Sequence, residues 1–93
     1  MQSLEMKEIL LKAKYAGASD VHLTVGSTPV FRLNGEFFRQ ESWPVLRPED
    51  TEKMSREMMN DQLKATFEKD GEVDFAYAIS GVSRFRVNIF RQR

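Results

Sequence analysis

Asn34 and Gly35 stand between the runs Val30-Phe31-Arg32-Leu33 and Glu36-Phe37-Phe38-Arg39, and no other dipeptide constrains the folding of this chain as tightly. Both residues tolerate the positive φ that a two-residue type I′ turn demands, so the two runs are expected to close on each other as an antiparallel hairpin. Upstream, Val21, Leu23 and Val25 alternate with Asp20, His22 and Thr24, the period-two signature of a strand with one buried face. Gly26-Ser27-Thr28-Pro29 then turns the chain into the hairpin. The alternation returns near the C-terminus: Val73, Phe75, Tyr77 and Ile79 interleave with Asp74, Ala76, Ala78 and Ser80, and Phe85, Val87 and Ile89 interleave with Arg84, Arg86 and Asn88. With Gly81 as the turn between them, these predict a second antiparallel pair.

Helical periodicity fills the remainder. Met6, Ile9, Leu10 and Ala13 recur at three- and four-residue spacing, which predicts an amphipathic helix over residues 3–16, capped by Ser3 and ended by Gly17. Pro48 suits a first helical position, and from there to Asn60 the residues Thr51, Met54, Met58 and Met59 form a methionine-rich stripe. Leu63 and Phe67 continue on a short helix that opens near Asp61 and closes before Gly71. The order of helix, strand, hairpin, two helices and hairpin predicts an α+β domain, a mainly antiparallel sheet with helices packed on one face. Ninety-three residues make one domain at most, and 41% hydrophobic content supplies one packed core.

Several chemistries are excluded by what the chain lacks. It has no cysteine, so disulfides and thiolate catalysis fall away, and its single histidine, His22, makes a protein-only metal site a poor expectation. No G-x-x-x-x-G-K-[ST] loop is present, so these residues by themselves are not expected to hydrolyse a nucleotide. Ser19, Asp20 and His22 are too compact for a triad, because Ser19 points opposite to the other two along a strand. His22 is expected to be a structural, hydrogen-bonded group, with Asp20 on its own face able to fix its tautomer. The methionines read as adaptable core filling, and the acid pairs Glu49-Asp50 and Asp70/Glu72 as helix-end and turn charges. No metal, no catalytic residue and no cofactor is assigned to these 93 residues. No apolar run approaches the roughly 18 residues of a membrane span, and the N-terminus has no signal-peptide core, so the expected compartment is the cytoplasm.

The overall charge is zero, but its distribution is uneven. Residues 41–74 carry five bases and ten acids, whereas residues 75–93 carry four bases and no acid. Arg84 and Arg86 leave one face of the last strand, Arg91 and Arg93 follow, and nothing close in sequence neutralises them. One reading is a solvated strand edge paired with the acidic helices. The other is an anion site, since two arginine forks on a rigid strand can engage phosphate oxygens together. An RNA-reading strand does not fit, because Phe85 and Phe90 fall on opposite faces and make no stacking platform. The acidic middle third argues against nucleic acid as a partner.

The segments Ala18-Ser19-Asp20-Val21-His22-Leu23-Thr24-Val25-Gly26, Pro29–Glu36, Asp74-Phe75-Ala76-Tyr77 and Arg84–Arg93 resemble, in order and spacing, the N-terminal domain of the type IV pilus retraction ATPases, the PilT-like branch of the secretion ATPase superfamily. The resemblance covers nearly the whole chain. It implies a PAS-like domain, residues 1–93, followed in the parent protein by a RecA-like ATPase domain that this chain stops short of, as an excised domain would. It further implies a regulatory and oligomerisation role in a hexameric motor for pilus retraction and twitching motility, with ATP and Mg held in the parent protein. The partners implied are the protein's own C-terminal ATPase domain, neighbouring subunits of a homohexamer and the inner-membrane platform protein of the pilus, which would keep the motor cytoplasmic and peripheral to that membrane. Arg84 and Arg86 match the R-x-R pair of the family's nucleotide cleft, and Arg32 is a third nucleotide-binding candidate. A free-standing PAS-like adaptor that binds a ligand or protein is the alternative.

Overall fold

The computed structural model describes residues 5–79 and 83–91. In chain order these form α1 (Met6–Ala16), β1 (Asp20–Thr24), β2 (Val30–Leu33), β3 (Glu36–Arg39), α2 (Pro48–Met58), α3 (Asp61–Asp70), β4 (Glu72–Ile79) and β5 (Ser83–Phe90). At the decisive turn Asn34 has φ 50° and Gly35 φ 82°, and Leu33 lies opposite Glu36, so β2 and β3 close as the sequence requires. The pairing of β4 with β5 is likewise antiparallel, from Glu72 opposite Phe90 to Ile79 opposite Ser83. Ser3 and the Gly81 turn lie outside the described residues; α1 begins after Glu5, without a side-chain cap, and ends at Gly17.

The strands form one sheet in the order β3-β2-β1-β5-β4. Every neighbouring pair is antiparallel except one: β1 and β5 run parallel, with Asp20 beside Arg86 and Thr24 beside Phe90. The connection between these two strands contains the first hairpin, both later helices and β4, which makes room for the crossover that a parallel pair needs. Val21, Leu23, Phe31, Phe85, Val87 and Ile89 point to one side and are buried. There they meet Met6, Ile9, Leu10 and Ala13 of α1, Met54 of α2, Met59 and Phe67 in a single cluster. Each fully buried aliphatic or aromatic side chain contributes about 1.5–3 kcal/mol, so this layer holds the helices on one face of the sheet and leaves the other bare.

Local chemistry fixes the helix ends. Asp50 accepts the Arg47 backbone N–H at 2.8 Å and its Nε at 3.2 Å, which starts α2 and holds the Asp50 carboxyl below its ordinary range, the side-chain hydrogen bond being the main cause. Asn60 caps α3, its Oδ1 accepting from the Leu63 N–H at 2.9 Å. Loss of this cap in Asn60→Ala is expected to cost about 1 kcal/mol and lower the melting temperature by about 4–8 °C, to be read by thermal denaturation. An unchanged melting point would show that α3 starts without it. Gly71 ends α3 at φ 75°, a left-handed backbone conformation that disfavours any side chain there. Arg91 donates from Nη2 to the Glu68 carbonyl at 3.1 Å and lies over the Phe67 ring, tying the end of β5 to α3.

Candidate functional site

The bare face of the sheet is built in rows fixed by strand register. One row runs from Phe37 through Arg32, Asp20 and Arg86 to Ala76; the next runs from Arg39 through Val30, His22 and Asn88 to Asp74. Alternation along β5 sends Phe85, Val87 and Ile89 into the core, so Arg84, Arg86 and Asn88 must leave the opposite side. Together Asp20, His22, Arg32, Asp74, Arg86 and Asn88 line a shallow pocket of about 80 Å³.

Its charges alternate across the sheet. Arg32 Nη1 lies 3.6 Å from Asp20 Oδ2, and Arg86 Nη2 donates to Asp74 Oδ2 at 2.9 Å. Asp20 is nearly buried, at 11% side-chain exposure, while Arg86 keeps 65%. The hydrogen bond that Arg86 donates to Asp74, followed by the charges of Asp74 and Asp20, holds the guanidinium above its ordinary value. The reading of the terminal arginines as paired with the acidic helices therefore needs correction for Arg86. Its partners are strand carboxylates and not the acidic helices, because register brings β4 and β1 to either side of it. Arg84 lies opposite Ala78, is exposed, and has no carboxylate partner among the described residues.

His22 also departs from expectation. Its Nε2 is enclosed with no hydrogen-bond partner, and its ring packs edge-on against Phe37 at 5.4 Å between centroids. The carboxylate of Asp20 faces Arg32 instead, and the Arg32 guanidinium in turn lies 5.5 Å from the centre of the Phe37 ring. The structure thus brings Arg32 and Arg86 together around Asp20, sets Arg84 one row away, and turns Arg91 toward α3. Sequence reasoning missed Asp20 and Asp74 as the groups that position the arginines. For Asp74 the signal was present, since closing β4 on β5 through a short turn places residue 74 diagonally across from residue 86.

Chemically this face is a cation-rich surface with fixed counter-charges. No cluster of three or more His, Cys, Asp or Glu suited to a metal occurs among the described residues. A larger groove of about 300 Å³ lies between α2, α3 and Arg91. Two of its cations are already engaged, Arg56 with Glu52 at 2.8 Å and Arg91 with the Glu68 carbonyl. No helix among the described residues is long and apolar enough to cross a membrane.

Comparison with known proteins supplies the context for this face. No family model matches the chain. It is 36% identical over 89 residues, 96% of its length, to the type IV pilus retraction ATPase PilT of Pseudomonas aeruginosa. It is 33% identical over 90 residues, 97% of its length, to the type IV pilus ATPase PilU of the same organism. The chain spans about a quarter of these relatives, 26% and 23% of their lengths. Among solved structures it superposes on the pilus retraction motor PilT with bound ADP, with a TM-score of 0.75 and 41% identity, covering 98% of this chain and 26% of that one.

Proposed function

We propose that this chain, related over nearly its whole length to the N-terminal region of PilT and PilU, serves as the N-terminal regulatory and oligomerisation domain of a pilus retraction motor. In this reading a RecA-like ATPase domain follows it, supplies the Walker motifs, and holds ATP and Mg in the cleft between the two domains. The observation that carries the reading is the bare sheet face, where Arg84 and Arg86 stand exposed on one strand with helices packed only behind them. Six such subunits would form a ring that acts on the inner-membrane platform of the pilus from the cytoplasm. The domain would be PAS-like and would carry no catalytic residue of its own.

The physical case rests on charge and rigidity. Arginine presents a planar fork that matches phosphate oxygens two at a time, and a strand paired on both sides within a sheet holds two such forks at a fixed spacing. ATP in the cleft draws both toward it and closes the domains; loss of the γ-phosphate weakens that attraction and releases them. Arg32 stands further back, held by Asp20, and contributes mainly to the field of the face. To test the assignment, the affinity of the full-length protein for ADP is measured with Arg84→Gln and Arg86→Gln combined. Charge-assisted hydrogen bonds of this kind predict about tenfold weaker binding or more. Equal affinity would remove the arginines from the nucleotide site.

A further inference from the structure

Arg84 and Arg86 leave the same face of β5 two residues apart, yet their surroundings differ. Arg84 stands opposite Ala78 without a described carboxylate partner. Arg86 stands between Asp20 on β1 and Ala76 on β4, and reaches diagonally to Asp74, 2.9 Å away. Asp20 is held in place by Arg32, so its charge beside Arg86 is a fixed part of the fold. Arg32, Asp20, Arg86 and Asp74 thus neutralise one another, and an anion that approaches Arg86 competes with a carboxylate already there.

That carboxylate is easily displaced. The pair is joined by a single Nη2 to Oδ2 contact, and its side chains are 65% and 48% exposed. Exposed pairs of this kind favour the joined state by a factor of about five at most. A phosphate group brings more charge and accepts two N–H groups at once, so it wins the guanidinium when it is present and loses it on departure.

We propose that Asp74 is a gating carboxylate: it parks Arg86 on β4 while the phosphate position is empty and competes with phosphate for it, leaving Arg84 as the standing attractor. Asp74 is a positioning residue in this scheme and touches no ligand itself. The inference rests on the reading of Arg86 as a phosphate contact. It gives the face two arrangements that differ in the partner of one arginine, and the ligand selects between them by its differential affinity.

The test uses the 93-residue chain with isotope-labelled arginine, titrated with inorganic pyrophosphate while the side-chain N–H signals are followed by NMR. Asp74→Asn is expected to bind pyrophosphate roughly two- to fivefold more tightly than the unchanged chain. Asp74→Glu restores a carboxylate and should return the affinity to that of the unchanged chain. Arg86→Gln should weaken binding and abolish its dependence on residue 74. Glu72→Gln removes the same charge from the same strand, and should have little effect. Tightening separates gating from a structural role, since damage to the face would weaken binding. If pyrophosphate moves no arginine signal in any variant, the phosphate-contact reading fails. If binding depends on Arg86 but Asp74→Asn is no tighter, or Glu72→Gln tightens it equally, the gate alone fails.

Discussion

Replacing Arg86 by alanine in the full-length protein is expected to lower ATP turnover about ten- to a thousandfold, below the largest arginine-finger effects because Arg84 remains on the same face. The size of the loss follows from where charge develops. During phosphoryl transfer negative charge spreads over the phosphate oxygens, and a guanidinium that bound ATP has already drawn off Asp74 meets it from a strand that itself does not move. A contact made equally to bound ATP would raise KM alone, whereas one that strengthens in the transition state lowers kcat, so steady-state kinetics separate the two. Folding should not be disturbed, because the Arg86 side chain is 65% exposed and its hydrogen bond is to Asp74, itself exposed. Circular dichroism of the variant checks this directly. Unchanged turnover in a folded protein would mean that the last strand lies away from the catalytic cleft.

Phe85→Ala is expected to be the most damaging single truncation in the domain, for the opposite reason. Phe85 is 2% exposed, sits on the interior strand β5 one residue from Arg86, and packs into the layer beneath the helices. Removing a buried phenyl ring costs about 3–5 kcal/mol, from lost transfer free energy plus the cavity left behind. The whole domain is expected to have only about 5–14 kcal/mol of stability at this length. The melting temperature should fall by roughly 12–40 °C, enough to leave much of the chain unfolded near physiological temperature. Trp43, half-buried and edge-on to Phe31 at 6.0 Å, provides the fluorescence signal for urea unfolding. Tyr15→Ala, at an 81% exposed position, should stay within about 0.5 kcal/mol and serves as the comparison. A Phe85→Ala midpoint close to that of the unchanged chain would show that the core tolerates a cavity behind the site, and the rigidity assigned to β5 would be lost with it.

Much of this architecture was legible in the residues because it is local. Asn34-Gly35 dictated the first hairpin, the alternation from Val73 to Ile89 dictated the second, and Pro48, Asn60 and Gly71 marked helix ends that the structure places within two residues of expectation, α2 stopping at Met58 with Met59 already extended. The faces of the arginines were also readable, since period two fixes them once Phe85 and Val87 are assigned to the core. The parallel pairing of β1 with β5 was not, because no turn connects them and their register depends on packing of segments far apart in sequence. Asp20 arrives beside Arg86 only through that pairing, and its role was invisible for the same reason. His22 shows a different limit: alternation placed it on the bare face, but the packing of its ring against Phe37 depends on the sheet being assembled. A neutral total charge concealed a face on which two arginines and two aspartates alternate.

The most direct measurement is the structure of the full-length protein with nucleotide bound, solved to a resolution that places the Arg86 guanidinium. The expected result is a phosphate oxygen within about 3.2 Å of an Arg86 nitrogen, with the 2.9 Å bond to Asp74 broken. An Arg86 that stays on Asp74 while the phosphates are held entirely by other groups would contradict the assignment of this face to the nucleotide.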